Sequence, residues 1–213
     1  MSRDRENIDR FNQLAAEWDE KPLHVEVGAS IASALLSALQ PQGDEEALEF
    51  GAGTGLATIH LAPRLKSLVA MDSSSGMLSV LQRKCASLGL SNVSVREGLV
   101  PGDLPDGPFD LIFSSLTLHH IEDSAGLMRS LFRHLRPGGR VAFADLEAED
   151  GSFHGDMPGV FHHGFAREPL RRVLLDAGFS NPRFSPAHVI RRDIESGEQR
   201  DYPVFLLLAE RLR

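Results

Sequence analysis

The chain has little that cross-links and little that would hold it to nucleic acid or membrane. Its 213 residues include one cysteine, Cys85, so no intrachain disulfide can form, and Cys85 falls in an apolar-periodic stretch that reads as core packing. Basic residues are outnumbered, 22 Lys and Arg against 30 Asp and Glu, and the net charge is −8. Phosphate contacts are made by Lys and Arg, so this balance argues against nucleic acid as the main partner. No apolar run approaches the ~20 residues that span a bilayer, so no membrane span is expected. The charged start, Met1 to Arg10, has no apolar core of a signal peptide, and a cytoplasmic location is expected. There is no cysteine set and no H-E-x-x-H spacing, so no metal is expected. Repeats, low-complexity segments and domain linkers are also missing. What remains is 42% hydrophobic and 24% charged, a single domain over 1–213 with enough chain for a real core.

That chain is organised around Leu48-Glu49-Phe50-Gly51-Ala52-Gly53-Thr54-Gly55-Leu56-Ala57. Leu48 to Phe50 read as the end of a buried strand. Glycine then falls at every second position, and an apolar helical pattern, Leu56, Ile59 and Leu61, follows at once. A strand turning sharply into a helix needs residues that tolerate positive φ, and glycine also lets the backbone approach a ligand closely. The helix that follows presents unpaired N–H groups. The stretch reads as the seat of a nucleotide-type cofactor, against the alternative of a Gly-rich turn without function. The spacing is G-x-G-x-G, with Leu56 where a dinucleotide fingerprint has its third glycine and no lysine to make a P-loop. Glu49, two residues before Gly51, suits a cationic amino group better than a pyrophosphate.

With an acid-x-G-x-G-x-G motif of this form, the chain resembles the class I S-adenosylmethionine-dependent methyltransferases, over roughly residues 46–210. The resemblance implies that Glu49, Gly51, Ala52 and Gly53 line the methionine part of the cofactor. Ser67 to Met71 reads as a second strand ending in Asp72, 23 positions beyond Glu49. That is close to the ~20-residue interval at which an acid meets a ribose hydroxyl in related folds. A carboxylate only accepts, and a ribose diol donates. Ser73, Ser74 and Ser75 offer N-caps for a helix to about Leu88. Met77, in its first turn, either packs on adenine or belongs to the core. Val93 to Glu97 alternates as a strand and leads to Gly98. Where the family often has an acid or amide toward the adenine amino group, this chain has Leu99. Adenine recognition therefore falls to backbone at Gly98 and Leu99, or to Asp103.

Pro105-Asp106-Gly107-Pro108 is a turn, and Phe109 to Ile121 follows it. Its F-D-x-I-x-x-S stretch and Leu118-His119-His120 resemble the fourth-strand region of small-molecule methyltransferases, including the quinone branch. Ser115 lies at the strand's carboxyl end, where ligands bind in open α/β sheets. Upstream, Ile8, Phe11, Leu14, Ala15 and Trp18 recur at helical spacing until Pro22, and a second helix spans Val25 to Leu39. By the resemblance, residues 1–40 would form a helical lid over the cofactor through Phe11 or Trp18; plain packing is the other reading. Downstream, a helix runs from about Ser124 to Leu135, Arg136 to Arg140 form the turn that ends it, and Val141 to Asp145 is a fifth strand. Residues 146–164 read as a substrate-side loop, before a helix that Gly178 stops. Phe184 to Ile190 and Tyr202 to Leu208 are two last strands, joined through Glu195-Ser196-Gly197-Glu198 as an antiparallel pair. The expected fold is α/β: a doubly wound, mostly parallel seven-stranded sheet with a C-terminal antiparallel hairpin.

The expected activity is methyl transfer from S-adenosylmethionine to a small-molecule acceptor, by a monomer or homodimer. The alternatives are an NAD-dependent oxidoreductase and a catalytically silent cofactor-binding partner protein. Methyl transfer needs orientation of the acceptor above all, and a base only when the acceptor arrives protonated. His119, His154 and His163 are the candidates for that base, against the alternative that the paired histidines are packed by hydrogen bonds or cap a loop.

Overall fold

The computed structural model describes residues 3–193 and 198–213. One seven-stranded sheet runs in the order β3-β2-β1-β4-β5-β7-β6. The strands are β1 (Glu46–Phe50), β2 (Ser67–Asp72), β3 (Val93–Glu97), β4 (Phe109–Ser115), β5 (Leu135–Leu146), β6 (Ser180–Asp193) and β7 (Gln199–Glu210). β1 to β5 pair in parallel, while β7 is antiparallel to both β5 and β6. The chain leaves β1 toward β2 and β3, then crosses back to place β4 on the other side of β1. Strand order thus reverses between β1 and β4, and the crevice at their carboxyl ends is where such sheets bind ligands.

The helices are α1 (Arg3–Leu14), α2 (Pro22–Leu39), α3 (Thr58–Leu61), α4 (Ser75–Leu88), α5 (Ser124–His134) and α6 (Arg167–Ala177). Adjacent residues of a strand point to opposite faces, and β5 and β7 use this strictly. Ala142, Ala144, Val204 and Leu206 pack with α2, whereas Val141, Phe143, Phe205 and Leu207 pack with α5 and α6. Local chemistry sets the helix ends. Ser74 caps α4 by accepting the Met77 N–H (3.1 Å), and Asp123 caps α5 by accepting that of Gly126 (2.7 Å). Gly89 and Gly178 close α4 and α6 in the left-handed conformation that glycine adopts freely.

Several boundaries differ from the sequence expectation. Pro22 opens α2 rather than merely interrupting a helix, since its missing N–H is no loss in a first turn. Arg136 to Arg140 are not a separate turn: they lie within β5 as a bulge, because Leu135 pairs with Phe109 and Arg140 with Leu111. β6 and β7 extend well beyond the expected cores, and the link Glu195-Ser196-Gly197-Glu198 falls, but for Glu198, outside the described residues. α2 also qualifies the expectation of no long apolar run. It is 18 residues with a mean hydropathy of 1.3, long and apolar enough by those measures to cross a membrane. Here its Val27, Ile31, Ala32, Leu35 and Leu39 are buried in the core.

Candidate active site

A cavity of about 560 Å³ opens at the carboxyl ends of β1, β2 and β4, beneath α1 and the 3-10 turn Ala15–Glu20. Its floor is the loop after β1. Gly51 and Gly53 have φ of +65° and +55°. A Cβ on Gly51 would collide with the Thr117 side chain, whereas one on Gly53 would meet nothing within 4 Å and point into open space. Gly51 is thus required by the protein's own packing, and Gly53 leaves bare backbone toward the cavity. The loop is held from below by Asp72: Gly53 N–H donates to Oδ2 and Ser74 N–H to Oδ1, both at 2.8 Å. Burial raises the Asp72 pKa, and these backbone donors work against that rise. A carboxylate has about four lone-pair sites, so Asp72, half-buried and lining the cavity, can still accept from a ligand hydroxyl.

Of the residues expected to touch the cofactor, Gly51, Ala52, Gly53, Asp72, Ser73, Met77, Gly98, Leu99 and Ser115 all line this cavity. Glu49 does not. Its side chain is buried under the loop, accepts the Thr58 hydroxyl at 2.5 Å, and has its pKa pushed up to about 8 by burial. Glu49 shares the Ala47 face of β1 and is closed off there by Thr58 of α3, which the linear motif cannot register. Asp103 also stays out of the cavity and accepts the Leu99 N–H at 2.9 Å, fixing the loop after β3. The third-glycine position, Leu56, packs its side chain against Gly28, where a Cβ would approach the Leu56 Cβ at 2.6 Å. At the end of β4, Leu116 takes φ +50° and Leu116 N–H bonds to Ala144 O at 2.8 Å. Positive φ at a leucine costs about 1–3 kcal/mol and is held only where the surroundings over-determine it.

Three imidazoles also line the cavity. His119 and His120 have ring centroids 4.2 Å apart, and His154 lies 4.8 Å from His119. His119 is buried, and its Nδ1 is 2.7 Å from Oδ1 of Asp145, a carboxylate with no exposure at all. Burial would raise the Asp145 pKa, but the hydrogen bonds to it from the His119 ring and the Leu146 N–H help hold the carboxyl below its ordinary value. With Nδ1 engaged, Nε2 is the remaining ring nitrogen of a histidine that lines the cavity. His120 is bonded through Nδ1 to Gly159 O at 2.7 Å, and burial lowers its pKa to about 3. His154 is likewise lowered to about 3, first by burial and then by His119. Both are therefore neutral at physiological pH. His163 does not join them: it is half-exposed, 3.6 Å from Glu149, and outside the cavity lining, because the post-β5 segment turns it to the surface. Among the described residues no group of three or more His, Cys, Asp or Glu is arranged to hold a metal.

The N-terminal segment contributes polar latches that periodicity could not reveal. Asn12 Oδ1 accepts from Ser74 Oγ (2.7 Å) and from Gly76 N–H (2.9 Å), capping α4 from another helix. Asp19 accepts from Thr54 Oγ1 (2.7 Å) and pairs with Lys84. Phe11 and Trp18 meet edge to face at 5.6 Å, and both line the cavity. Asn12 and Asp19 were unreadable as site residues. Only Asp145, an acid closing a strand at the ligand end, carried a signal that could have singled it out.

Comparison with known proteins follows this geometry. Residues 48–143, from β1 into β5, match a family model described as a methyltransferase domain. An uncharacterized methyltransferase of Schizosaccharomyces pombe is 31% identical over 63% of this chain and 53% of its own length. A malonyl-[acyl-carrier protein] O-methyltransferase of Halorhodospira halophila is 32% identical over 84% of this chain and 65% of its own length. The chain spans about half the length of the first of the curated relatives it matches. Among solved structures, the DhpI complex with SAH has a TM-score of 0.72 at 21% identity, covering 98% of this chain and 96% of that one. A SAM-dependent methyltransferase of Aquifex aeolicus has a TM-score of 0.65 at 20% identity, covering 95% and 97%. At these identities the two structures establish the shared fold.

Proposed function

We propose that this chain, which belongs to the class I S-adenosylmethionine-dependent methyltransferase family, transfers a methyl group to a small-molecule acceptor bound between the glycine loop and the His119–Asp145 pair. The observation that carries the reading is the bare Gly53 backbone, tied to Asp72 and facing a cavity that His119, backed by Asp145, also lines. The residues present fit the cofactor. Gly51 to Gly53 offer backbone to its amino-acid end, Asp72 offers acceptor capacity to the ribose, and Met77 and Leu99 offer apolar surface to the base. The name of the Halorhodospira relative supports an oxygen acceptor ahead of carbon, nitrogen or sulfur.

Bound S-adenosylmethionine supplies a methyl group on a sulfonium that is its own leaving group, so the chemistry belongs to the cofactor. The chain's part is to orient the acceptor and exclude water. α1 and Trp18 close the cavity from above, and Ser115 and Leu116 bound it at the switch point. If the acceptor arrives as a hydroxyl or acid, His119 Nε2 takes its proton. Asp145 fixes the ring through Nδ1 and stabilises the imidazolium that results. His120 and His154, neutral and bonded or buried, are poor sinks for that proton.

The test is a calorimetric titration with S-adenosylmethionine and, separately, NAD, followed by labelled methyl transfer to a small-metabolite extract. Binding of the sulfonium cofactor and labelling of a small molecule are expected. NAD binding alone would turn the reading toward an oxidoreductase, and cofactor binding without transfer to any acceptor toward a silent partner.

A further inference from the structure

The cavity is basic although the chain is acidic. Arg10, Lys21 and Arg192 line it, and Asp72 is the sole carboxylate among its lining residues, in a protein of net charge −8. Arg10 projects from the half-buried side of α1. Its guanidinium contacts the Met157 thioether and donates to Asn7 Oδ1 at 2.9 Å, yet it forms no ion pair among the described residues. Its Nε is buried without a partner, and so is Nε2 of His154. The Arg10 guanidinium stacks 4.6 Å from the Phe11 ring centroid, Phe11 lies 5.5 Å from the His120 ring, and His120 lies 5.9 Å from that of His154. A buried polar atom without a partner in a native fold calls for an explanation, and a bound group is one. Arg10 and His154 both line the one cavity, and Arg10 brings to it a cation with no carboxylate partner among the described residues.

We propose that the methyl acceptor is an organic acid whose carboxylate is bound by Arg10, and whose apolar body lies along Phe11, Phe153 and Ile190. The assignment rests on the methyltransferase reading above. A planar guanidinium matches a carboxylate in two parallel hydrogen bonds. Phe153 supplies the apolar wall on this side and itself carries the Arg192 guanidinium 4.8 Å above its ring. The methionine end of the cofactor carries the same chemistry, so the cofactor's own carboxylate is the competing source. Arg10, however, contacts Met157, from the segment after β5, and stacks over Phe11 of its own helix; neither belongs to the glycine loop.

The experiment uses the full chain loaded with S-adenosylhomocysteine, with Trp18 as reporter, since it is the only tryptophan and lines the cavity. Phenylbutyrate and the uncharged phenylbutanol are titrated against wild type, Arg10→Gln and Arg10→Lys. Wild type should bind the acid about tenfold or more tighter than the alcohol, a preference Arg10→Lys keeps in part and Arg10→Gln loses. S-adenosylhomocysteine affinity should stay within about twofold in all three proteins. Equal binding of acid and alcohol by wild type, no binding of the acid, or an acid preference that survives Arg10→Gln overturns the proposal. So does a loss of S-adenosylhomocysteine affinity in Arg10→Gln that spares methylthioadenosine, which lacks the carboxylate; Arg10 would then serve the cofactor. Failure of wild type to bind S-adenosylhomocysteine at all would instead remove the methyltransferase reading beneath it.

Discussion

Replacing Asp145 by asparagine keeps the shape of the side chain and removes its charge from the most enclosed point of the site. In the native arrangement Oδ1 lies 2.7 Å from His119 Nδ1 and accepts the Leu146 N–H at 2.7 Å, while Oδ2 is 3.4 Å from the His119 backbone nitrogen. All of these neighbours present hydrogens. Asparagine has one carbonyl oxygen and one NH2 group, so whichever way the amide turns, one donor faces another. Hydrogen bonds to charged groups contribute about 1.5–3 kcal/mol, and stripping one partner from a buried pair costs about 3–5 kcal/mol. Asparagine retains part of the bonding, so a loss of about 2–4 kcal/mol is expected. Urea unfolding at neutral pH, followed by circular dichroism, would measure it. The deficit should narrow below pH ~4, because a carboxyl held below its ordinary pKa stabilises above that range and loses its contribution as it protonates. Combining Asp145→Asn with His119→Gln in a double-mutant cycle should give a coupling of about 1–3 kcal/mol. A coupling under ~0.5 kcal/mol would refute the dyad, leaving two residues that merely pack side by side. With an acceptor that needs deprotonation, Asp145→Asn should also slow transfer by about 10²–10⁴ while leaving cofactor affinity unchanged.

Three further outcomes follow from the same geometry. Asp72→Ala releases the Gly53 and Ser74 N–H groups and should weaken S-adenosylmethionine binding by about 1–3 kcal/mol in calorimetry; Gly53→Val, whose side chain enters the cavity from a positive-φ position, should do more. Asn12→Ala unties α1 from the start of α4, so stopped-flow release of cofactor should quicken while stability falls by only ~1 kcal/mol; an unchanged release rate would mean that α1 is not a lid. Glu49, with its folded pKa raised to about 8, holds a proton that the unfolded chain gives up near pH ~4.5, so the wild type loses stability as pH rises between those values. Glu49→Gln does not titrate and should therefore gain on wild type by up to ~1.4 kcal/mol per pH unit across that window, measured by denaturation at several pH values.

Much of this protein was legible in order along the chain, because its strongest signals are local. A strand that must turn into a helix over bare backbone needs Gly51 and Gly53, and those residues announce it without neighbours. The alternation of apolar segments and turn residues called for a parallel sheet, and the short link before β7 for its antiparallel close. Asp72 could be placed from its distance to the loop, since strand, turn and helix lengths are nearly constant in such units. The sequence by itself determined the fold class and the place of the glycine loop and Asp72 at the ends of adjacent strands. Tertiary structure decided the rest, where function depends on which face or which distant partner a side chain meets. It turned Glu49 under the loop and His163 to the surface, and it set Asp145 beneath His119. It also carried Asn12 across 62 positions to Ser74 and left Arg10 without a carboxylate partner among the described residues. Those contacts join elements far apart in the chain, and neither periodicity nor spacing encodes a meeting that only the closing of the sheet and the docking of α1 bring about.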